Sequence, residues 1–498
     1  MIEHAAVLQV VVPLGLAPLG VIAWSRSLSW VGFLLAGLCS AACATVLAVQ
    51  VYGGAGEPVR YAVGGWQPPL GIELVIDRAN VPVLLLLSLI AVVGALYARR
   101  SVESEIDRGR IPLFYAGFCL LLAGLLGITV TGDMFNVFVF LEISSLSSYA
   151  LIALGRRRRA LLAAFQYLVL GTVGGTFLLL GIGMMYAVTG TLNMADMADR
   201  LPDVSDNRAV IAGVIFVLVG LGLKAAMFPL HAWLPGAYAE APSAVTMVLS
   251  ATGTKVAVYA MLRILIGVVG VEIAFDQLPV GTIALLLGVT GMLVGSVIAC
   301  FQTNLKRVLA WSSVAQMGYI VVGFGLGSAA GVSAAYLQLV NHAITKAALF
   351  GVAGILLLRL GSSSISAMPG LRRREPLLLL AFVLAGLGLI GVPPTAGFVS
   401  KWALLQAMLE QGQWLLVVVL LVSSLLAMVY VGRIVEVAWF RTPVSVPADD
   451  REERPPRGRL MSAATWVLVL LTLLIGVAPD LVAVAADGAA AALFGGAS

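Results

Sequence analysis

The chain has 498 residues, of which 60% are hydrophobic and only 11% are charged. Soluble proteins carry roughly 25% charged residues, so this composition excludes the soluble classes and leaves a polytopic membrane protein, for which domain counting by length does not apply. The formal net charge of +5 belongs to basic loops rather than to a nucleic-acid surface.

A helix needs ~20 apolar residues to cross a bilayer. In chain order the apolar runs predict an all-α protein of about fourteen transmembrane helices, counted on that length. They fall near residues 5–24, 29–52, 79–98, 112–131, 133–155, 160–188 and 209–228, then 242–268, 280–301, 306–328, 332–358, 376–409, 415–438 and 464–486. The first run starts at Ala5 without a basic leader and reads as a retained helix rather than a cleaved signal. The loop 53–78 is rich in Gly and Pro. Its end, Gly71 to Asp77, alternates in a way that predicts a short strand or hairpin on the outer face. The seventh span is interrupted by Met227-Phe228-Pro229 and the twelfth by Val392-Pro393-Pro394-Thr395-Ala396-Gly397. Proline removes a backbone donor and clashes with the preceding turn. At membrane depth such a break survives only where protein or a hydrated cavity covers it. The stretch 441–459 is polar and proline-rich and reads as a flexible cytoplasmic loop. Little chain follows the last span, so no long extra helix or soluble domain is expected.

Arginines and lysines cluster after odd-numbered spans: Arg99, Arg100, Arg108 and Arg110; Arg156 to Arg159; Lys306 and Arg307; Arg372 to Arg374; and Arg451 to Arg459. The loops after even spans are acidic or neutral, with Asp196, Asp199, Asp203, Asp206, Glu272, Asp276 and Glu410. The positive-inside rule then places both termini on the outer, periplasmic side of a bacterial inner membrane. Spans 4–8 and 9–13 each hold a broken helix in fourth place. Five is an odd number, so two successive five-helix units have opposite orientation, the inverted-repeat plan of transporters. The expected division is residues 1–110 (helices 1–3), 111–268 (first repeat), 269–440 (second repeat) and 441–498 (loop and helix 14).

An ionisable group at the bilayer centre costs ~2.5–3.5 kcal/mol on insertion scales. Each such group therefore needs a partner, a water cavity or a function. Glu142 lies about 14 Å along a helix from Asp133, near mid-membrane. It reads as the carboxylate of a proton relay, or as a structural bond to a neighbouring helix. Asp133 suits a helix cap. Lys224 sits one turn before the proline break, where freed carbonyls can hold an ammonium. A movable Glu142–Lys224 pair is a workable proton switch, and a fixed salt bridge is the structural alternative. Lys255 has small neighbours that admit water. His342 and Lys346 are four apart and share a helix face, as a relay step or a packed pair. Lys401 follows the second break, either as counterpart of Lys224 or as a snorkelling residue. His231, just past the first break, is a weaker relay candidate. Lys306-Arg307 reads as an interfacial anchor, and Arg263 and Arg433 as snorkelling residues near helix ends. Cys39, Cys43, Cys119 and Cys300 lie in apolar runs and read as core residues. The three histidines, His4, His231 and His342, are too scattered for a metal or haem site. No nucleotide loop, hydrolase elbow or redox-centre motif is present. No metal or cofactor is expected, and the energy must come from an ion gradient or a partner.

The run Lys224-Ala225-Ala226-Met227-Phe228-Pro229-Leu230-His231-Ala232-Trp233-Leu234-Pro235, continuing through Ala237-Tyr238-Ala239-Glu240-Ala241-Pro242-Ser243, resembles the antiporter-like membrane subunits of respiratory complex I and of Mrp-type cation/proton antiporters. Within that family, Gly132-Asp133-Met134-Phe135-Asn136, a lysine at 401 and the short tail resemble the D subunits of Mrp Na⁺/H⁺ antiporters. The hydroxyl-rich run Ile143-Ser144-Ser145-Leu146-Ser147-Ser148 departs from that pattern. The resemblance implies two inverted half-channels. Glu142 and Lys224 belong to the first, Lys255 to the bridge, and His342, Lys346 and Lys401 to the second half and exit. It implies a proton-translocating subunit of a multi-subunit Na⁺ or K⁺/H⁺ antiporter, with other subunits, lipid, protons and a monovalent cation as partners. It is then a secondary transporter subunit rather than an enzyme. The alternative is a proton-pumping membrane-arm subunit of a complex I-like quinone oxidoreductase or membrane-bound hydrogenase, in which it would be part of a translocase.

Overall fold

The computed structural model describes residues 4–54, 57–442 and 458–495, so most of the polar stretch 441–459 lies outside the described residues. The chain opens with α1 (Ala5–Ile22) and α2 (Arg26–Gly53). Strands β1 (Val59–Ala62) and β2 (Glu73–Ile76) pair antiparallel before α3 (Val81–Glu105). The hairpin expected before the third span is thus formed, with Glu73 buried and ion-paired to Arg60 at 3.1 Å. The next group is α4 (Ile111–Val130), α5 (Met134–Ala153), α6 (Arg158–Thr189), the short α7 (Met194–Arg200), α8 (Arg208–Lys224), α9 (Trp233–Glu240), α10 (Ser243–Ala251) and α11 (Gly253–Gly267). The last is α12 (Val280–Phe301), α13 (Leu305–Gly325), α14 (Ala329–Leu360), the single turn α15 (Leu371–Arg374), α16 (Pro376–Ile390), α17 (Ala396–Glu410), α18 (Trp414–Phe440), α19 (Arg459–Val477) and α20 (Asp480–Gly495).

Among the described residues, twelve helices are long and apolar enough to cross a membrane. The α10–α11 pair counts as one of them. The expected seventh and twelfth spans are the α8/α9 and α16/α17 pairs, each divided at its prolines because the pyrrolidine ring cannot continue the hydrogen-bond ladder. Ala226, in the first gap, has φ +54°. That left-handed conformation is uncommon for a residue with a Cβ, and it takes the chain out of α8 within two residues of Lys224.

Two stretches of the chain repeat the same local construction. Asp133 caps α5 by accepting from the Asn136 N–H at 2.8 Å, as expected, and bridges to Asn193. Asn304 caps α13 by accepting from the Arg307 N–H at 3.3 Å and bridges to Ser364. Both α6 and α14 have 32 residues and end at a left-handed glycine, Gly190 (φ 71°) and Gly361 (φ 69°). Each pair of matching residues is separated by one constant offset in the chain. Helix α14 runs through the centre of the molecule, buried from Gly331 to Leu357. Helices α1, α2, α6 and α18 leave apolar side chains such as Leu19, Val49, Phe165 and Leu425 exposed, as suits a lipid or subunit boundary.

Two expectations change. The last span does not run to residue 486. It breaks at Ala478-Pro479, and α20 turns back to pack on α14, α11 and α3. Asp487 of α20 accepts from the Ser333 hydroxyl of α14 at 2.5 Å. The eighth span is also discontinuous: α10 ends and α11 begins around Thr252 (φ −123°, ψ −64°). No proline marks that break. Thr252-Gly253-Thr254 is a weak signal that sequence reading passed over.

Candidate functional site

Lys224 is the last residue of α8, 5% exposed, and turns its ammonium toward α5. Its Nζ lies 3.4 Å from Glu142 Oε1 and donates to Ser145 Oγ at 2.7 Å and Tyr149 Oη at 3.2 Å. All three partners lie on one face of α5, at steps of three and four residues. The carbonyls freed by the break go elsewhere. Leu223 O accepts from Trp233 Nε1 at 2.8 Å, and Trp233 stacks on Tyr167 at 3.8 Å. Aromatic rings thus close the site while the break keeps its backbone satisfied. On α6, glycine makes the necessary room. A Cβ at Gly175 would stand 2.3 Å from Glu142 Oε1, and one at Gly171 1.8 Å from Tyr149 Oη.

From Lys224 a cavity of about 30 Å³ reaches Gly253 and Ala257 of α11, lined by the Ser144, Ser145 and Ser148 side chains. This is room for water, which needs only ~10–15 Å³ and a few polar partners. The unexpected hydroxyls of α5 therefore line the side of Lys224 that faces α11. Lys255 lies in the first turn of α11, just past the α10–α11 break. It donates to the freed Ser250 carbonyl at 2.5 Å and to Thr254 Oγ1 at 3.2 Å.

In α14 the Lys346 ammonium donates to Leu309 O of α13 at 2.8 Å and to the Ser312 hydroxyl. His342, one turn away, is buried, with no partner among the described residues for either ring nitrogen, and feels the charges of both Lys255 and Lys346. Lys401 is 6% exposed rather than snorkelling. It donates to the freed carbonyls of Leu389 (3.2 Å) and Ile390 (2.8 Å) and to Ser424 Oγ (3.0 Å), with Tyr319 under it at 4.7 Å. The carbonyl-held ammonium expected at Lys224 is thus found at Lys255 and Lys401 instead. Lys401 follows its break whereas Lys224 precedes its own, so the two are counterparts in location but not in register.

Sequence reading missed a buried amide chain beside Lys401. Ser400 donates to Gln338 (2.6 Å), Gln338 to Gln316 (2.6 Å) and Gln316 to Leu389 O (3.4 Å). Asn341 donates to Ala396 O at 2.7 Å. Gln338, His342, Thr345 and Lys346 follow one another at helical spacing in an otherwise apolar helix, and that stripe was the available signal. His231 stacks on Phe228 at 5.1 Å and meets Trp311 edge-on at 5.2 Å, with no ion pair or hydrogen bond to Lys224. Lys306 is not the interfacial anchor that the sequence suggested. Lys306 is 1% exposed and donates to Ala241 O at 3.0 Å. Arg263 is ion-paired with Asp77. Arg433 donates to the last carbonyls of α12, Cys300 and Gln302. The internal acceptor holds the Lys306 charge inside, whereas both arginines reach groups at a helix end or in a loop. No cluster of His, Cys, Asp or Glu suited to a metal ion occurs among the described residues.

The family described as NADH:quinone oxidoreductase/Mrp antiporter, TM matches residues 131–427. The chain belongs to this family. It is 42% identical to NADH-quinone oxidoreductase subunit N of Desulforudis audaxviator over 481 residues, covering 96% of this chain and 95% of that one. It is 33% identical to the D subunit of the Na(+)/H(+) antiporter of Bacillus subtilis over 436 residues, 87% of this chain and 85% of that one. Among solved structures it matches a subunit of the membrane-bound sulfane sulfur reductase, an archaeal respiratory membrane complex, with TM-score 0.90, 32% identity and 99% and 98% coverage. It also matches the Mrp complex from Dietzia sp. with TM-score 0.88, 29% identity and the same coverage. The protein is a multi-pass membrane subunit of a hetero-oligomeric, ion-transporting complex of the Mrp and complex I type.

Proposed function

We propose that this chain is the proton-translocating subunit of a multi-subunit monovalent cation/proton antiporter, with Na⁺ or K⁺ as the exchanged ion. The Glu142–Lys224 pair carries the proposal: a carboxylate and an ammonium 3.4 Å apart, on separate helices, beside a helix break and a water-sized cavity. A proton shared by such a pair can be passed on when the pair loosens, since neither group then keeps its oppositely charged partner. Lys224, Lys255, His342 with Lys346, and Lys401 then form the relay in that order, and His231 is its weakest member. Ser144, Ser145, Ser148 and the cavity they line support transfer from Lys224 toward α11.

Two inverted repeats, residues 111–268 and 269–440, underlie the relay, with helices 1–3 before them and helix 14 after. The matched caps, bridges and glycine ends of α5–α6 and α13–α14 support this division. Counting the divided pairs α8/α9 and α16/α17 as one crossing each, beside the twelve long apolar helices, supports fourteen crossings. With basic loops in the cytoplasm, both termini lie on the periplasmic side of a bacterial inner membrane.

The test is Glu142→Gln and Lys224→Ala, each in everted vesicles carrying the whole complex. Both abolish the collapse of a pH gradient on adding Na⁺ or K⁺. Collapse at the parent rate rejects the relay. A second reading, the proton-pumping membrane arm of a quinone- or hydrogenase-type oxidoreductase, is favoured by the 42% identity to an oxidoreductase subunit N. Co-purifying subunits distinguish the two: small antiporter subunits, or redox subunits with Fe–S cysteine motifs.

A further inference from the structure

On the side of the basic loops, a cavity of about 290 Å³ opens where the ends of α3, α9, α13 and α14 meet. Its wall holds Glu105, Arg156, Arg157, Glu240 and Lys306. Three of these are committed to structure. Glu105 accepts from the Ser243 N–H at 3.0 Å and from its hydroxyl at 3.1 Å, holding the start of α10. Arg156 pairs with Asp107 at 3.1 Å, and Glu240 meets Arg307 at 3.4 Å. Lys306 differs. It is among the largest fully buried side chains, yet it lines the cavity, and among the described residues its ammonium has a single acceptor, Ala241 O at 3.0 Å. An ammonium has three donors. The charges acting on it are Glu105 from α3, Glu240 from α9 and Arg157 from the α5–α6 turn, and among the described residues no carboxylate is ion-paired with it within 4.0 Å.

The next polar groups inward lie on the same helix. Leu309 O and the Ser313 hydroxyl follow Lys306 by three and seven residues on one face of α13, joined by a hydrogen bond of 3.0 Å. Leu309 O also accepts from Lys346. Lys306 and Ser312 are separated by about 9 Å along the helix axis, a gap that a side-chain ammonium and one or two waters can span.

We infer that Lys306 is the proton intake of the second repeat, taking protons from the basic-loop side through this cavity and passing them along α13 to Lys346. This inference rests on the relay proposed above. It assigns a second mouth, separate from the Glu142–Lys224 site, since neither of those residues lines this cavity.

Arginine separates carrying from anchoring. It keeps the charge and the hydrogen bond to Ala241 O but does not release its proton in a protein. In everted vesicles holding the intact complex, Lys306→Arg assembles at the parent level and lowers proton flux at least about tenfold, a general acid–base scale of loss. A merely structural lysine tolerates arginine, so flux at the parent rate overturns the inference. Lys306→Cys is equally slow, and treatment with an aminoethyl methanethiosulfonate from the basic-loop side, which rebuilds an amine there, restores flux. Modification without recovery, or recovery only from the opposite side, overturns it. The cysteine arm also decides the matter if the arginine variant fails to assemble. Lys224→Ala is measured alongside. If Lys224→Ala is inactive while Lys306→Arg is active, only the intake falls. If both are active, the relay itself falls.

Discussion

The buried lysines beside the two proline breaks, Lys224 and Lys401, are held by different chemistry. In the first half, Lys224 meets a carboxylate, two hydroxyls and an aromatic wall. In the second, Lys401 and Lys346 meet backbone carbonyls and serines, and no carboxylate is among the described bonds of either. An ion pair neutralises charge and changes with each proton that arrives. Carbonyls freed by a helix break stabilise an ammonium without titrating. In the proposed relay, the Glu142–Lys224 site therefore responds to a proton, and the Lys401 site holds one until a neighbour changes. The difference follows from where the lysine stands relative to its break. Lys224 precedes the break and points away from the freed carbonyls toward α5. Lys401 follows the break and curls back onto them.

The comparison can be broken most directly at the ion pair. Glu142→Gln lowers proton flux on the order of a hundredfold or more and destabilises the complex, since it leaves a buried ammonium without its carboxylate. The double variant Glu142→Gln, Lys224→Met regains thermal stability over the single variant but no flux, because removing both charges removes the desolvation problem as well. A double variant that transports would contradict the proposed switch. Lys401→Met comes next. It strands the Ile390 carbonyl and leaves Leu389 O to Gln316 alone, so its midpoint of thermal unfolding drops by an amount matching about 1–3 kcal/mol, together with a loss of flux. A flux loss with unchanged stability would mean that the carbonyls find other donors.

Gly175→Ala acts on the first half alone. The new methyl occupies the space of Glu142 Oε1, so the pair separates and flux falls about tenfold, the consequence of a misplacement on the order of 1 Å. It also destabilises, since the overpacked methyl costs about 1–3 kcal/mol and the ammonium loses its close carboxylate; unlike Glu142→Gln it keeps the carboxylate itself. The smallest effect is Ser145→Ala, which removes one 2.7 Å hydrogen bond to Lys224. A charge-assisted bond is worth about 1.5–3 kcal/mol, but Tyr149 and Glu142 remain in place. Flux then falls only a few times, measured as the initial rate of gradient collapse. Ser424→Ala is its partner experiment at Lys401. A larger loss there than at Ser145 would sharpen the view that the second half depends on fixed donors and acceptors.

Composition and hydropathy determined the membrane class, the spans and both proline breaks, because a bilayer imposes length and apolarity on each helix separately. The ionisable residues within those spans were equally legible, since each carries a desolvation cost that stands out against an apolar background. Glu142 facing Lys224 was legible for the same reason. What each charge touches was not. The break at Thr252, the amide chain of Gln316, Gln338 and Ser400, and the carbonyls around Lys401 depend on helices far apart in the chain meeting at one depth. The same holds for Lys306, which the sequence sends to the interface and the fold retains. A long cationic side chain near a helix end snorkels only when no internal acceptor is within reach, and only tertiary packing decides which carbonyls and carboxylates those are.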